Sequence, residues 1–154
     1  MAHIKVQTED FDVGAEIAAL TAGRVDIGGL GCFVGTVRAD AKETGSQVVG
    51  MTLEHYPGMT ERAIARIADQ AMERWPLLGC TIIHRVGPLR PGENIVLVIA
   101  ASSHRQAALD ATGFLIDWLK TDAPFWKAEE TPAGERWVDA RASDDEATRR
   151  WRGE

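Results

Sequence analysis

The sequence predicts a single α+β domain whose sheet is largely antiparallel. Three observations carry that expectation. Strand-like and helix-like apolar periodicities occupy separate stretches, turn residues rather than helices join most of the strands, and neither a repeat nor a linker interrupts the chain. A length of 154 residues fits one domain, which by size scaling buries roughly two thirds of the surface its unfolded chain exposes.

The elements follow in order. His3 to Gln7 alternates polar and apolar residues and predicts a first strand. Val13 to Ala22 has helical spacing at Val13, Ile17 and Leu20, with Gly23 as its stop. The glycine-rich run GGLGCFVGTVR, residues 28 to 38, reads as a strand with a bulge or a close backbone approach at one of its glycines. A polar stretch then turns the chain, and Val48 to His55 reads as a returning strand, so residues 28 to 55 predict a hairpin with a long mobile loop at 39 to 46. Thr60 is the expected N-cap of a helix whose buried stripe is Ala63, Ile64, Ile67, Ala68, Ala71, Met72 and Trp75, ended by Pro76. Thr81 to Val86 and Asn94 to Ala101 are apolar strands joined by the turn-rich GPLRPGE. A strong helix runs from His104 to about Lys120, with Ala107, Ala108, Ala111, Phe114, Leu115, Trp118 and Leu119 inward, and Pro124 forbids its continuation. A short extended piece at Arg136 to Val138 follows. Residues 1 to 142 form the expected domain, and 143 to 154 a charged tail, loose or marginally helical.

Composition narrows the function. Hydrophobic residues make up 45% and charged residues 26%, an ordinary globular balance. The net charge of -6 argues against nucleic-acid binding, which calls for a basic face. Cys32 and Cys80 lie in apolar runs without metal-ligand spacing and read as buried thiols of a reduced compartment, and no metal site is expected. No leader and no apolar run of about 18 residues points to a membrane. A cytoplasmic protein is expected.

The candidate chemistry is cationic. Ser102-Ser103-His104-Arg105 sits at a strand-to-helix junction, where free amides, the helix dipole and a guanidinium favour an anion; equally, Ser103 merely caps the helix. Arg38 ends the glycine-rich strand, pointing into a cleft or rimming the sheet. Lys120 falls in a last helical turn that favours any cation. Lys127 follows Phe125-Trp126, a setting that lowers an amine's pKa toward neutrality unless the chain snorkels to water. Sixteen positions of helix separate His104 from Lys120 by roughly 24 Å. Either the two serve different sites, or a two-fold partner supplies His104 and Arg105 to the pocket that holds Lys120 and Lys127. Glu54-His55-Tyr56 reads as mostly structural, because strand neighbours face opposite sides. GxSxG, Walker A, HExxH and dinucleotide-binding patterns are absent from the sequence.

In register along the chain, FVGTVR (33 to 38), LEHYPGMTE (53 to 61), IHRVGPLRPGE (83 to 93), SSHRQAA (102 to 108), LKTDAPFWKAEE (119 to 130) and RWVDARASD (136 to 144) resemble the large, catalytic subunits of molybdopterin synthase. The resemblance implies an α/β-hammerhead fold and a sulfurtransferase that converts a cyclic pyranopterin monophosphate into molybdopterin. It implies a small ubiquitin-like partner bearing a C-terminal Gly-Gly thiocarboxylate, a homodimer of the large subunit with a small subunit at each end, and no cofactor. Carried over by residue, the substrate-binding positions are Thr36, Val37, Arg38, His104, Arg105, Lys120, Lys127, Ala128 and Glu129, with Lys120 and Lys127 catalytic. Ala128 departs from the basic residue of close relatives. Two rival readings are a binding module that docks the carrier without turnover, and a hydrolase that uses His104 with no partner.

Overall fold

The computed structural model describes residues 2–41, 46–47, 49–132, 134–138 and 142–153. In chain order the elements are β1 (Ala2–Gln7), α1 (Val13–Thr21), β2 (Gly29–Thr36), β3 (Asp40–Ala41), β4 (Ser46–Gln47), β5 (Gly50–His55), α2 (Met59–Arg74), β6 (Leu77–Arg85) and β7 (Gly87–Leu89). They continue with β8 (Asn94–Ser102), α3 (Arg105–Thr121), β9 (Phe125–Thr131), β10 (Gly134–Val138) and α4 (Ala142–Arg152). The larger sheet has the order β1-β6-β8-β2 and the smaller β10-β9-β5-β7. Every pairing in the two is antiparallel except that of β1 with β6. The expected loop at 39–46 and the expected strand start at Val48 fall partly on residues outside those described.

Helices α2 and α3 cover one face of the larger sheet. Ile64, Ile67, Ala68 and Ala71 of α2 meet Ala111, Phe114, Leu115 and Leu119 of α3 over Cys80, Ile82, Val96, Val98 and Ala100. Burying each large side chain there contributes roughly 1.5–3 kcal/mol. The other face carries Ile83, Leu97 and Ile99 beneath Ile17, Leu20, Phe11 and Val13. Because both faces are covered, β8 reads as an almost unbroken apolar run.

Two glycine positions are sterically fixed. A Cβ on Gly31 would run into the Ala108 carbonyl oxygen and the Thr112 hydroxyl, so α3 lies directly against the β2 backbone. A Cβ on Gly28 would strike the Ser103 carbonyl oxygen, which seats the entrance of β2 on the entrance of α3. The expected bulge is present as well, between Gly35 and Thr36.

Several expectations are corrected. Strands β2 and β5 form no hairpin: β2 pairs with β8, and β5 lies between β9 and β7 in the other sheet. Hydrophobic patterning marks a strand but not its neighbour, and β5 finds apolar partners in Val37 and Leu89. GPLRPGE is not all turn, since Gly87–Leu89 pairs with Met51, Thr52 and Leu53. Helix α2 is capped by Gly58 at φ 84°, a conformation open to glycine, while Glu61 accepts from its amide at 3.0 Å. The Thr60 hydroxyl, freed from capping, accepts from the Tyr56 amide and donates to the Pro124 carbonyl, each at 3.0 Å. Cys80 is buried but Cys32 is exposed, because β2 is an edge strand. The tail is helical: on α4, Thr148 is buried and Trp151 packs edge-on against Trp75 and Phe114.

Candidate active site

The corner after α3 is built by local hydrogen bonding. Asp122 N–H donates to the Trp118 carbonyl at 2.7 Å, and Phe125 N–H donates to Ala123 O at 2.8 Å across Pro124. The bond from Thr60 to Pro124 ties this turn to the start of α2. Lys120 therefore lies in the last turn of α3, and after a three-residue corner the chain leaves as β9.

Register sets which side chains gather there. His55 faces Phe125, Leu53 faces Lys127 and Met51 faces Glu129. Directly opposed residues share a face, so Phe125, Lys127 and Glu129 lie on the His55 side and Ala128 on the other. His84, near the end of β6, stacks on Phe125 with ring centroids 3.8 Å apart and planes 18° from parallel. His84 Nδ1 is 2.9 Å from the Arg85 carbonyl oxygen, an acceptor only, so Nδ1 carries the proton and Nε2 keeps its lone pair. The His84 ring is enclosed by protein, although part of the residue's surface stays open. Burial pushes its pKa down to about 4; the backbone contact opposes this, while the nearness of Lys120 and His55 pushes it further down. Lys120, His55, His84 and Phe125 thus form one cluster.

Arg38 belongs to the same end of the sheet. Gly35 and His84 are both opposite Val96 of β8, on its two sides. Val37 is buried with Met51, Leu53 and Leu89, and its backbone bonds to Glu93 and Gly92, leaving Arg38 exposed just beyond. Thr36 is exposed and Lys127 half-buried, whereas Ala128 and Glu129 are buried. Ala128 is opposite Thr52 and Trp137 in register, and its side chain lies on the face away from Lys127.

His104 and Arg105 lie elsewhere. His104 is the extended N-cap of α3 without a side-chain cap bond, so Ser103 is not the cap. Gly29 abuts the Arg105 backbone, and Gly29 and Thr36 are the two ends of β2. Seven strand steps put those ends about 24 Å apart, and the length of α3 repeats the same separation. Within one chain Thr36, Arg38, Lys120 and Lys127 lie toward one end of the sheets, and His104 and Arg105 toward the other.

The sequence reading set His55 aside as mostly structural and missed His84. Both stand in the quoted segments LEHYPG and IHRVG, but only register shows that they meet. Arg85, the neighbour of His84, is structural: it donates to Thr8 O at 3.1 and 3.0 Å and to Asn94 O at 3.0 Å, closing the sheet end. No group of three or more metal-binding side chains occurs among the described residues.

Fold and cations together define a single-domain α+β protein, of the α/β-hammerhead type, with a cationic corner at one end of its larger sheet. Residues 6–122 match the family described as "MoaE protein". The chain belongs to that family. It is 58% identical over 151 residues to the molybdopterin synthase catalytic subunit of Ralstonia nicotianae, covering 98% of this chain and 85% of that one. The corresponding subunit of Escherichia coli is 51% identical, covering 96% and 97%. A solved MoaE protein of molybdopterin biosynthesis from Burkholderia ambifaria superimposes with a TM-score of 0.85 at 54% identity, over 100% of both chains.

Proposed function

We propose that this chain is the catalytic subunit of a molybdopterin synthase, moving sulfur from the C-terminal thiocarboxylate of a small ubiquitin-like partner onto a cyclic pyranopterin monophosphate. Each transfer leaves one sulfur on the pterin and returns the carrier terminus as a carboxylate whose new oxygen comes from water. Two transfers make the dithiolene of the molybdenum cofactor. The reaction belongs to the cytoplasm.

The observation that carries this reading is the placement of the cysteines relative to the amines. Cys80 sits in the core with its thiol pushed up to about 12 by burial. Cys32 shares the strand face of Leu30 and Val34, which pack with Ile83, Leu97 and Ile99 on the α1 side, so it lies on the sheet face opposite α3. A sulfurtransferase without a thiol among its amines receives its sulfur on another protein. Relatives described as a catalytic subunit agree with a second subunit.

In this reading Lys120 lies closest to the carrier's terminal glycine, where an ammonium stabilises the charge that develops during acyl transfer. Lys127 serves the substrate phosphate or proton transfer. Thr36, Val37 and Arg38, with Lys127 to Glu129, line the pterin site, and a second copy of the chain adds His104 and Arg105 as phosphate anchors. The backbone of Val37 and Ala128, rather than their side chains, contributes.

The test is to mix the chain with thiocarboxylated carrier and cyclic pyranopterin monophosphate and to assay molybdopterin. Product forms only when all three are present. Conversion of the pterin by this chain alone would overturn the reading in favour of a hydrolase, and carrier binding without turnover would make it a docking module.

A further inference from the structure

We propose that His84 is a further catalytic residue of this corner: its Nε2 takes a proton from the water that cuts the carrier away from the pterin once a carbon–sulfur bond has formed. The step deepens the synthase reading above and rests on it.

The chemistry calls for such a group. When the thiocarboxylate sulfur has bonded to the pterin and is still attached to the carrier's terminal carbonyl, a thioester joins the two. Water must open it. Its oxygen bonds to the acyl carbon, the acyl carbon–sulfur bond breaks with the electron pair leaving on sulfur as the pterin thiolate, and the carrier departs as a carboxylate. The water gives up one proton during attack and the other to solvent as the new acid ionises. Lys120 can stabilise the oxyanion, but an ammonium has no lone pair with which to receive the first proton.

The corner offers few acceptors. Arg38, Lys120 and Lys127 are cations, and Glu129 is buried and already engaged. Two imidazoles remain, His55 and His84. Of these, His84 has its tautomer set by the Arg85 carbonyl 2.9 Å from Nδ1, which leaves Nε2 as the basic atom.

The fold holds that atom in place. Cys80, Ile82 and His84 share one face of β6, and the first two lie in the core under α2 and α3. His84 is thus the next residue of that face, where the core gives way to the corner. Phe125 lies flat on its ring, and Val6 and Val96 flank it in the sheet. Nε2 has no hydrogen bond among the described residues, and the one unpartnered side-chain nitrogen or oxygen sealed inside them is Trp118 Nε1, so Nε2 reaches the surface. Lys120 of α3 and His55 of β5 stand close enough to act on the ring. With a pKa of about 4 the ring is a free base at neutral pH. The ammonium beside it also drives an accepted proton on to solvent, which returns the base for the next transfer.

The experiment uses the full chain with thiocarboxylated carrier and cyclic pyranopterin monophosphate. His84→Asn keeps a donor for the Arg85 carbonyl and His84→Gln keeps an acceptor near Nε2, but neither amide can take up a proton at neutral pH. Either variant, folded by circular dichroism, should bind carrier and form the carbon–sulfur bond in its first turnover. Molybdopterin output should then fall about 100-fold, in the range of a lost general base, and a carrier–pterin thioester that hydroxylamine cleaves should accumulate in intact mass spectra. Output near the parent's from a folded variant would overturn the step and leave the synthase reading intact. Loss of thioester and product together, with carrier binding native, would overturn it too, assigning His84 to an earlier stage. A parent chain that makes no molybdopterin would sink the synthase reading and this step with it.

Discussion

The imidazole of His84 lies flat against the phenyl ring of Phe125, 3.8 Å between centroids. The contact joins the two sheets, since His84 is next to last in β6 of the larger and Phe125 begins β9 of the smaller. It also places a neutral ring beside Lys120. A protonated His84 would set a second positive charge against that amine and against His55, inside a shell of protein atoms.

A pH dependence of stability follows. His84 titrates at about 4 in the folded chain, below the ordinary 6.5. A depressed histidine pKa means that the unfolded chain binds more protons between those values. Stability is therefore full above about pH 6.5 and falls toward pH 4, by up to about 1.4 kcal/mol per pH unit. Asp10, held low chiefly by its Asn94 hydrogen bond, acts in a separate, more acidic window. Urea denaturation of the parent and of His84→Phe at pH 7 and pH 5 isolates the effect. The parent should lose more stability than the variant, and equal losses would remove His84 as the cause.

Sulfur transfer should survive removal of both thiols. Cys32→Ser with Cys80→Ala deletes every cysteine of the chain. The Cys80 change leaves a small void in the core and costs about 1 kcal/mol of stability, yet molybdopterin formation should remain near the parent rate. A folded double variant without transfer would place the sulfur on this chain.

The C-terminal helix should behave as part of the domain. Trp151 Nε1 donates to Asp117 at 2.6 Å, Arg150 pairs with the same carboxylate at 2.8 Å, and Arg74 donates to the Trp151 carbonyl at 2.9 Å. Trp151→Ala removes a partly buried ring that packs on Trp75 and Phe114, and the expected loss is about 2–3 kcal/mol by urea denaturation. A loss near zero would return the segment to the loose tail that its charge suggested.

What the sequence made legible divides along physical lines. The buried stripes of α2 and α3 are set by local periodicity, and both were readable in outline. Pro124 and Lys120 were readable for the same reason, since a proline ends a helix whatever surrounds it. Strand partnership was not: nothing in Val48 to His55 says that β9 and β7 flank it rather than β2. His84 went unnoticed, and His55 was set aside as structural, because register across two sheets brings them together. The exposure of Cys32 was misread because its apolar neighbours suit an edge as well as a centre. Trp151 was overlooked because a single aromatic docks a helix whose other residues are charged.

The separation of His104 from Lys120 permits a test that does not depend on knowing the interface. Lys120 is exposed in the last turn of α3, so Lys120→Ala should cost at most about 1 kcal/mol in stability while abolishing transfer. Arg105, exposed at the other end of the helix, should behave alike when replaced by alanine. If each site draws Lys120 from one copy and Arg105 from the other, a heterodimer of the two variants contains one doubly damaged site and one intact site. Purified heterodimers should then recover about half of the parent activity, and an equimolar, freely re-paired mixture about a quarter, as a two-fold arrangement of shared sites requires. Verified heterodimers with no recovery would mean that both residues act within one chain, across a distance no single small substrate spans, and would return the His104–Arg105 end to a separate role.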